Sequence, residues 1–247
     1  MPAQPWPRRL FVAGGAPAVV EFVVFAPSTF PLDFELSREG SPLAALGTGL
    51  SVQVYERSLA ERFAEWADGL AEDPDAPLGL GVAAAWYVVG GEVEDEEDFS
   101  ALQSAWAAVR VILRAGGLAV WDSLAMRWTS AADALAANPE LPALAGAWNV
   151  NLAEVDGGGF VAVHTLGLPK FARSDLLAFT PPAAVGALRT LLHHLALDLI
   201  EGAQLHAGDR IARGGMEIEV AAYLPGNNGP PVDIPFLRPP LVLLPPD

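Results

Sequence analysis

The sequence predicts an α+β protein with a mixed, mainly antiparallel sheet and helices packed on it. Short apolar strands and amphipathic helices are interspersed along 247 residues, without the regular strand–helix–strand repetition of a parallel sheet. A glycine-rich hairpin signal at residues 156–159 favours antiparallel pairing of its neighbours. Because 52% of the residues are hydrophobic and only 18% are charged, the chain can fill a substantial core.

Six segments have the composition and periodicity of strands. Ala18–Ala26 is β-branched and apolar on both faces, as in a buried strand, whereas Leu50–Tyr55 alternates apolar and polar residues. The remaining predicted strands are Leu78–Val89, Leu118–Asp122, Phe160–His164 and Met216–Val220. Residues 150–152 are the predicted hairpin partner of the strand at Phe160.

Three long segments have the apolar stripe of a helix packed on a core. They are Leu59–Leu70, which follows a capping box at Ser58 and Glu61, then Phe99–Arg114 and Pro181–Ile200. A shorter helix is predicted over residues 130–138. Six carboxylates in residues 92–98 precede the second helix, where they favour the positive end of its dipole. They lack the spacing of a calcium loop, so we interpret them as capping and solvating groups.

The length fits one large domain or two fused units. We divide the chain into an N-terminal α+β half, residues 1–117, and a C-terminal α+β half, residues 118–247, with one continuous domain left open. Residues 1–9 contain three prolines and are predicted to form a loose arm. The last 23 residues contain eight prolines and predict an extended edge or wrapping segment, since proline cannot donate to a central ladder.

Charge and composition exclude several classes of function. A formal net charge of −16 argues against nucleic acid, because that binding needs clustered Lys and Arg. A basic protein partner is compatible with such a surface. No cysteine is present for disulfides or thiolate chemistry. We expect no membrane insertion, since no stretch reaches roughly 20 apolar residues. We also expect a cytoplasmic location, although the lack of cysteine fits cytosol and periplasm alike.

Standard catalytic and cofactor motifs are not found. A loose Gly-x-Gly-x-x-Ala pattern at residues 79–84 precedes a predicted strand instead of opening a helix, so it does not indicate a nucleotide site. No P-loop, nucleophile elbow or zinc-binding His-Glu-x-x-His occurs. We therefore predict no catalytic residue, no metal site and no cofactor.

A basic and aromatic corner after the strand at Phe160 holds the candidate binding residues. It contains the only lysine of the chain, and its candidates are Asp122, Arg127, His164, Lys170, Arg173 and Asp175. Lys170 and Arg173 are three residues apart, so on a helical turn they could clamp an anion. In the competing interpretation, which we favour, this is an exposed corner where Asp175 pairs with either cation and His164 bonds to a backbone partner near the turn.

The same corner carries a resemblance. The segment from His164 to Phe171, His-Thr-Leu-Gly-Leu-Pro-Lys-Phe, follows Ala119-Val-Trp-Asp122 and Arg127-Trp-Thr-Ser130. It resembles an uncharacterised bacterial domain family with a His-Thr-x-Gly-x-x-Lys/Arg-Phe-Gly segment, over residues 111–223. Here Ala172 stands where those proteins often have glycine. The resemblance implies an α+β bacterial domain, sometimes in the company of toxin–immunity systems, and it implies no activity.

Two hypotheses about function follow. The first is a non-catalytic protein-binding or accessory protein, of the immunity type in its most concrete form. It is favoured by the acidic charge and by the lack of a catalytic constellation. The alternative is a small-anion-binding domain or an enzyme that uses His164, Lys170 and Arg173, with Asp122 and Arg127 facing them.

Overall fold

The computed structural model describes residues 6–30, 46, 49–58, 61–136, 151–156, 159–213 and 215–245. In this part of the chain, two sheets combine with four α-helices, which confirms the α+β class and the mainly antiparallel pairing. The first sheet has the order β2-β3-β1-β4-β5 and the second has the order β6-β7-β8-β11-β10-β9. The predicted strands are therefore divided between two sheets instead of sharing one.

The first sheet is antiparallel throughout. Its strands are β1 (Ala18–Ala26), β2 (Ser51–Glu56), β3 (Ala85–Val93), β4 (Ala119–Asp122) and β5 (Arg127–Ser130). β3 continues through Gly90 and Gly91, where an added Cβ would overlap the carbonyl oxygens of Val20 and Gly49. Only glycine allows the neighbouring backbones to approach so closely.

The helices are α1 (Glu61–Ala71), α2 (Ser100–Arg114), α3 (Ala131–Ala136) and α4 (Val185–Ile200). α2 packs its apolar stripe on the first sheet, where the rings of Trp106 and Phe22 lie 4.6 Å apart between centroids. α4 packs on the second sheet through Leu192 and Leu199. These residues belong to one continuous hydrophobic cluster that contains side chains from both halves of the chain.

The helix at residues 182–200 is long and apolar enough, by length and composition alone, to span a membrane. About one third of this segment is buried inside the protein. The same test is passed by core helices, and Leu191, Leu192, Leu195 and Leu199 of α4 are buried in the hydrophobic cluster. The expected lack of membrane insertion and the cytoplasmic location stay predictions.

The second sheet is mixed. Its strands are β6 (Asn151–Asp156), β7 (Val161–Leu166), β8 (Leu176–Thr180), β9 (Arg210–Arg213), β10 (Met216–Ala222) and β11 (Leu241–Leu244). β6 and β7 pair antiparallel, as the hairpin signal predicted, although residues 157 and 158 of the turn and residue 150 lie outside the described residues. β8 and β11 are parallel.

The prediction of an edge segment for the proline-rich tail is wrong at its end. β11 lies between β8 and β10, inside the sheet, because the four residues Leu241–Leu244 contain no proline and keep every backbone donor. The preceding residues do wrap the outer face of the sheet. Tyr223 Oη donates to the carbonyl oxygen of Pro230 at 2.5 Å, and Gly229 lies directly against the ring of Phe179.

Several predicted boundaries differ from the structure. Leu80–Val82 is a 3-10 turn that begins after left-handed Gly79, so the strand predicted from Leu78 starts only at Ala85. β5, β8 and β9 were not predicted. The capping residue Ser130 does open α3, since its Oγ accepts from Asp133 N at 3.1 Å. Leu59, Ala60 and residues 137–138 of the predicted helices lie outside the described residues.

Candidate functional site

The predicted corner folds inward between β7 and β8. Gly167 takes a left-handed conformation (φ 113°), a 3-10 turn runs through Leu168–Phe171, and Ala172 is also left-handed (φ 59°). This double reversal directs the side chains of Lys170, Arg173 and Asp175 into the interior, where their exposed fractions are 3%, 5% and 2%. The prediction of an exposed surface corner is therefore wrong. The residues that follow are called the charged corner: Asp122, Lys170, Arg173 and Asp175, joined by Arg8 and Asp95.

Lys170 and Asp122 form a buried ion pair. The Lys170 ammonium donates to Asp122 Oδ2, and it lies 5.4 Å from the centre of the Phe22 ring. Asp122 Oδ1 accepts from the backbone N–H groups of Leu124 and Ala125, at 3.1 and 2.9 Å. Burial lowers the pKa of Lys170, while the charge of Asp122 opposes that shift. The pair thus fastens the turn after β4 to the corner.

Asp175 bonds to neutral partners instead of a cation. Its Oδ1 accepts from Thr165 Oγ1 at 3.0 Å and from Leu168 N at 3.1 Å. Thr165 Oγ1 in turn accepts from Leu176 N at 2.8 Å. Burial raises the pKa of Asp175 to about 7, against the opposing effect of these hydrogen bonds. The predicted pairing of Asp175 with Lys170 or Arg173 is wrong, because Asp122 and Asp95 occupy those cations.

Arg173 is saturated by internal acceptors. Its Nε donates to the carbonyl oxygen of Ala203 at 2.7 Å, and its Nη2 donates to those of Val12 and Gly202, both at 2.8 Å. Its Nη1 donates to Asp95 Oδ2 at 2.8 Å and to the carbonyl oxygen of its neighbour Ala172 at 3.2 Å. Because Gly202 and Ala203 follow the end of α4, the guanidinium also lies near the negative end of that helix.

Arg8 makes a second clamp on the same carboxylate. Its Nη1 donates to Asp95 Oδ1 at 2.6 Å, and its other nitrogens donate to carbonyl oxygens that include those of Ile200 and Phe171, at 3.0 Å each. The predicted loose arm is thus anchored at Arg8, although residues 1–5 lie outside the described residues. Burial opposes the ionisation of Asp95, but hydrogen bonds from Arg173, Gly14 and Arg8 outweigh it and lower the pKa of Asp95.

His164 and Arg127 lie apart from these clamps. Strand alternation puts His164 on the opposite face from Thr165, where its ring meets Phe236 of the wrapping segment edge-on at 5.8 Å. Its Nδ1 is buried and has no hydrogen-bond partner among the described residues, so the predicted partner near the turn is not observed. Burial lowers the pKa of His164, while a hydrogen bond with the backbone of Ala162, in the strand and not in the turn, opposes that shift. Arg127 is exposed, pairs in register with Asp122, and its charge adds to the lowering of the Lys170 pKa, after burial.

The cavity beside the charged corner is too small for a ligand. A cavity of about 20 Å³ beside Arg8, Asp95 and Lys170 can hold one water, whereas small-molecule sites occupy roughly 300 Å³ or more. The corner pairs Asp122 with Lys170 and puts Asp175 near enough to Lys170 for their charges to interact, but all three side chains are buried. Its ion pairs and hydrogen bonds have a structural role, because they join the N-terminal arm, β4 and the end of α4.

A different site opens on the outer face of the first sheet. It is a cleft of about 510 Å³, called the aromatic cleft below. Across the sheet, Ser51, Gly90 and Glu21 form one row in register, and Gln53, Val88, Val23 and Trp121 form the next. Both rows line the floor, because residues two apart on a strand share a face. Tyr55, Trp66, Leu70, Ser123 and Met126 complete the lining.

Two elements close the ends of the aromatic cleft. α1 packs on this face of the sheet and Trp66 lines the cleft, with 38% of its surface exposed, while Met126 lies at the β4–β5 turn with 40% exposed. Trp121 is buried in the floor against Trp128, with ring centroids 4.9 Å apart. Tyr55 Oη donates to Gln53 Oε1 at 2.6 Å, and Ser123 Oγ donates to Glu21 Oε1 at 2.7 Å. The cleft is thus aromatic at one end and acidic at the other.

Sequence reasoning did not identify this cleft. Its residues come from β1, β2, β3, β4 and α1, and no two of the polar ones form a recognisable motif. The alternation of Leu50–Tyr55 did indicate that Ser51, Gln53 and Tyr55 share a face, which was a usable signal. No group of three or more potential metal ligands occurs among the described residues.

Comparison with protein-family models, with curated proteins and with solved structures finds no match to this chain. The resemblance to the uncharacterised bacterial domain family therefore stays a prediction. What the chain can do has to be argued from its own charged corner, its surface and its aromatic cleft.

Proposed function

We propose that this protein is a non-catalytic binding protein that engages another protein through its acidic surface, as an accessory or immunity-type component of a bacterial system. The observation that carries the proposal is the contrast between satisfied cations inside and exposed acids outside. Arg8, Lys170 and Arg173 are buried and paired, whereas Glu92, Glu94, Glu96 and Glu97 are exposed.

The charged corner itself adds little to the net charge, because its three cations are matched by the enclosed carboxyl groups of Asp95, Asp122 and Asp175. The formal net charge is −16, and three of the fourteen Lys and Arg residues are enclosed in the charged corner. An acidic surface accelerates the approach of a basic partner and repels like-charged competitors. The proposed partner is accordingly a basic protein.

The alternative, an anion site or enzyme built from His164, Lys170 and Arg173, has less support. His164 faces the wrapping segment on one side of the second sheet, while Lys170 faces Phe22 and Asp122 on the other. Arg173 donates to five internal acceptors. A substrate would have to displace those acceptors before it could contact the guanidinium.

The test begins with affinity capture from the native host, followed by binding of the purified partner to the purified protein. Replacing Glu94 and Glu97 by lysine should slow association by roughly tenfold or more at low salt, and the effect should fade as salt is added. Arg62, which is exposed, provides the control: Arg62→Gln leaves the surface acidic and should not slow association.

Two results would overturn the proposal. One is the recovery of no partner together with a copurified small molecule bound in a cavity. The other is loss of function in the host for His164→Ala while its melting temperature equals that of the wild type, which would move the enzyme hypothesis to the front.

A further inference from the structure

The aromatic cleft combines aromatic walls with an acid, and this combination selects a class of ligand. We propose that it binds an arginine side chain presented by a basic protein partner. The inference rests on the proposed function for the source of that arginine, and it names the site and the chemistry of recognition. The argument uses the exposure of the aromatic rings, the state of Glu21 and the geometry of the floor.

The aromatic end offers flat, accessible surface. Trp66 of α1 is 38% exposed, and Tyr55 of β2 is partly exposed above the same floor. The buried ring of Trp121 forms part of the floor, where it packs against Trp128. A guanidinium stacks on such rings because it is planar, delocalised and weakly hydrated, and the negative face of the ring attracts its charge.

The acidic end supplies a counter-charge. Glu21 is exposed in the cleft, and no Lys, Arg or His side chain of the described residues lies within ion-pair distance of it. Ser123 bonds to Oε1 and so fixes the carboxylate, while no hydrogen bond to Oε2 is present among the described residues. A fixed carboxylate with an available oxygen accepts a guanidinium in the forked geometry that strengthens such pairs.

The floor brings Glu21 close to the buried ring of Trp121. Glu21 and Trp121 are diagonal neighbours across β1 and β4, since Val23 is directly opposite Trp121. Diagonal neighbours are about 7–8 Å apart on a sheet face, so a guanidinium paired with Glu21 lies within one side-chain length of the floor at Trp121, and Trp66 lines the same cleft. Gly90 has no side chain, so the floor beside Glu21 is backbone and leaves the carboxylate accessible.

Lysine and sugars match the cleft less well. A lysine ammonium is a strongly hydrated point charge that gains less from flat aromatic walls. A neutral sugar would stack on Trp66, but it would leave the carboxylate of Glu21 without a compensating cation. Arginine satisfies both ends at once.

The direct test uses the peptide acetyl-Gly-Arg-Gly-amide and its citrulline counterpart, which has the same shape without the charge. Two-dimensional NMR should show shifts confined to the Trp66 indole N–H, the Gln53 side-chain amide and the backbone of Gly90. A dissociation constant on the order of 1 mM is expected for one exposed side chain, weakened roughly fivefold or more by citrulline.

Matched variants then locate the site. Glu21→Gln keeps the bond from Ser123 and should weaken the arginine peptide roughly fivefold, as should Trp66→Ala. Glu97→Gln makes the same change in net charge outside the cleft and should leave the affinity unchanged. Three results would overturn the inference. The wild type binds the citrulline peptide as tightly as the arginine peptide, Glu97→Gln weakens the arginine peptide as much as Glu21→Gln does, or a neutral oligosaccharide binds more tightly than the arginine peptide.

The same variants separate this inference from the proposed function. If the wild type binds a purified basic partner and Glu21→Gln binds it equally well, the protein is a binding protein but the aromatic cleft is not its arginine site. If the wild type binds the arginine peptide in the cleft while no partner exists in the host, the site is supported and the proposed function fails.

Discussion

The charged corner and the aromatic cleft show opposite uses of polar side chains in one fold. In the charged corner, six ionisable residues are enclosed and bonded to one another or to backbone and hydroxyl groups, and the cavity beside three of them is only about 20 Å³. In the aromatic cleft, a single carboxylate lies open beside exposed rings, around a space of about 510 Å³. The dense cluster of charges in the charged corner therefore stabilises the fold. The aromatic cleft, which has a single carboxylate, is the site that can accept a ligand.

The largest loss of stability should follow from breaking the buried ion pair of Lys170 and Asp122. Asp122→Asn keeps the acceptor for Leu124 and Ala125 but leaves the Lys170 ammonium buried without a counter-charge. We expect the free energy of unfolding to fall by about 3–5 kcal/mol in urea titrations at pH 7. The double change Asp122→Asn with Lys170→Met should recover part of the loss, since it removes the stranded charge.

The exposed pair of Arg57 and Asp68 is the control, because its charged groups are also in direct contact, at 2.5 Å, but in a solvated setting. Asp68→Asn should cost less than about 1 kcal/mol. If the two single changes lower the free energy of unfolding equally, the buried ion pair does not have the structural role assigned to the charged corner.

The next largest loss of stability should come from replacing Arg173, whose guanidinium joins three segments of the chain. Arg173→Lys keeps the charge near Asp95 but offers three donors where the wild type uses five contacts to Asp95, Val12, Ala172, Gly202 and Ala203. We expect a loss of about 2–3 kcal/mol, with faster hydrogen exchange at the end of α4. Slower exchange there, or an unchanged unfolding midpoint, would contradict the assigned role.

Much of this framework was predictable. The apolar stripes of α2 and α4 and the β-branched run of β1 are local patterns, and their bounds agree with the structure within a few residues. The strands β5, β8 and β9 are short and mixed in character, so local periodicity does not identify them.

The fate of the corner was not predictable, for a physical reason. Burial of Lys170 and Arg173 depends on partners far away in the sequence: Asp122, Asp95 and the carbonyl groups of residues 202–203. A sequence shows that a cation is present but not whether acceptors will enclose it. The aromatic cleft is hidden for the same reason, since adjacent rows of a sheet combine residues from four strands.

A smaller, pH-dependent effect tests Asp175. Its pKa is about 7 in the folded protein and near 3.8 in the unfolded chain, so the folded state holds more protons between these values. The contribution of Asp175 to stability is therefore greatest below about pH 4 and is lost as the pH rises to about 7. Asp175→Asn keeps an acceptor for Thr165 and Leu168 and removes the titration.

Urea titrations of wild type and Asp175→Asn at pH 5, 6, 7 and 8 measure this effect. The stability of the variant relative to the wild type should increase from pH 5 to 7, by on the order of a few kcal/mol at most, and then level off. A difference that decreases over this range would show that Asp175 is ionised in the fold at pH 5 and that a cation stabilises it.

The smallest stability effect is expected in the aromatic cleft, and its smallness is informative. Glu21→Gln changes an exposed side chain that retains its bond from Ser123, so the free energy of unfolding should stay within about 0.5 kcal/mol of the wild type. The same substitution should weaken the arginine peptide roughly fivefold. A large loss of stability would mean that Glu21 holds the sheet together as Asp122 does, and the distinction between a closed corner and an open cleft would no longer hold.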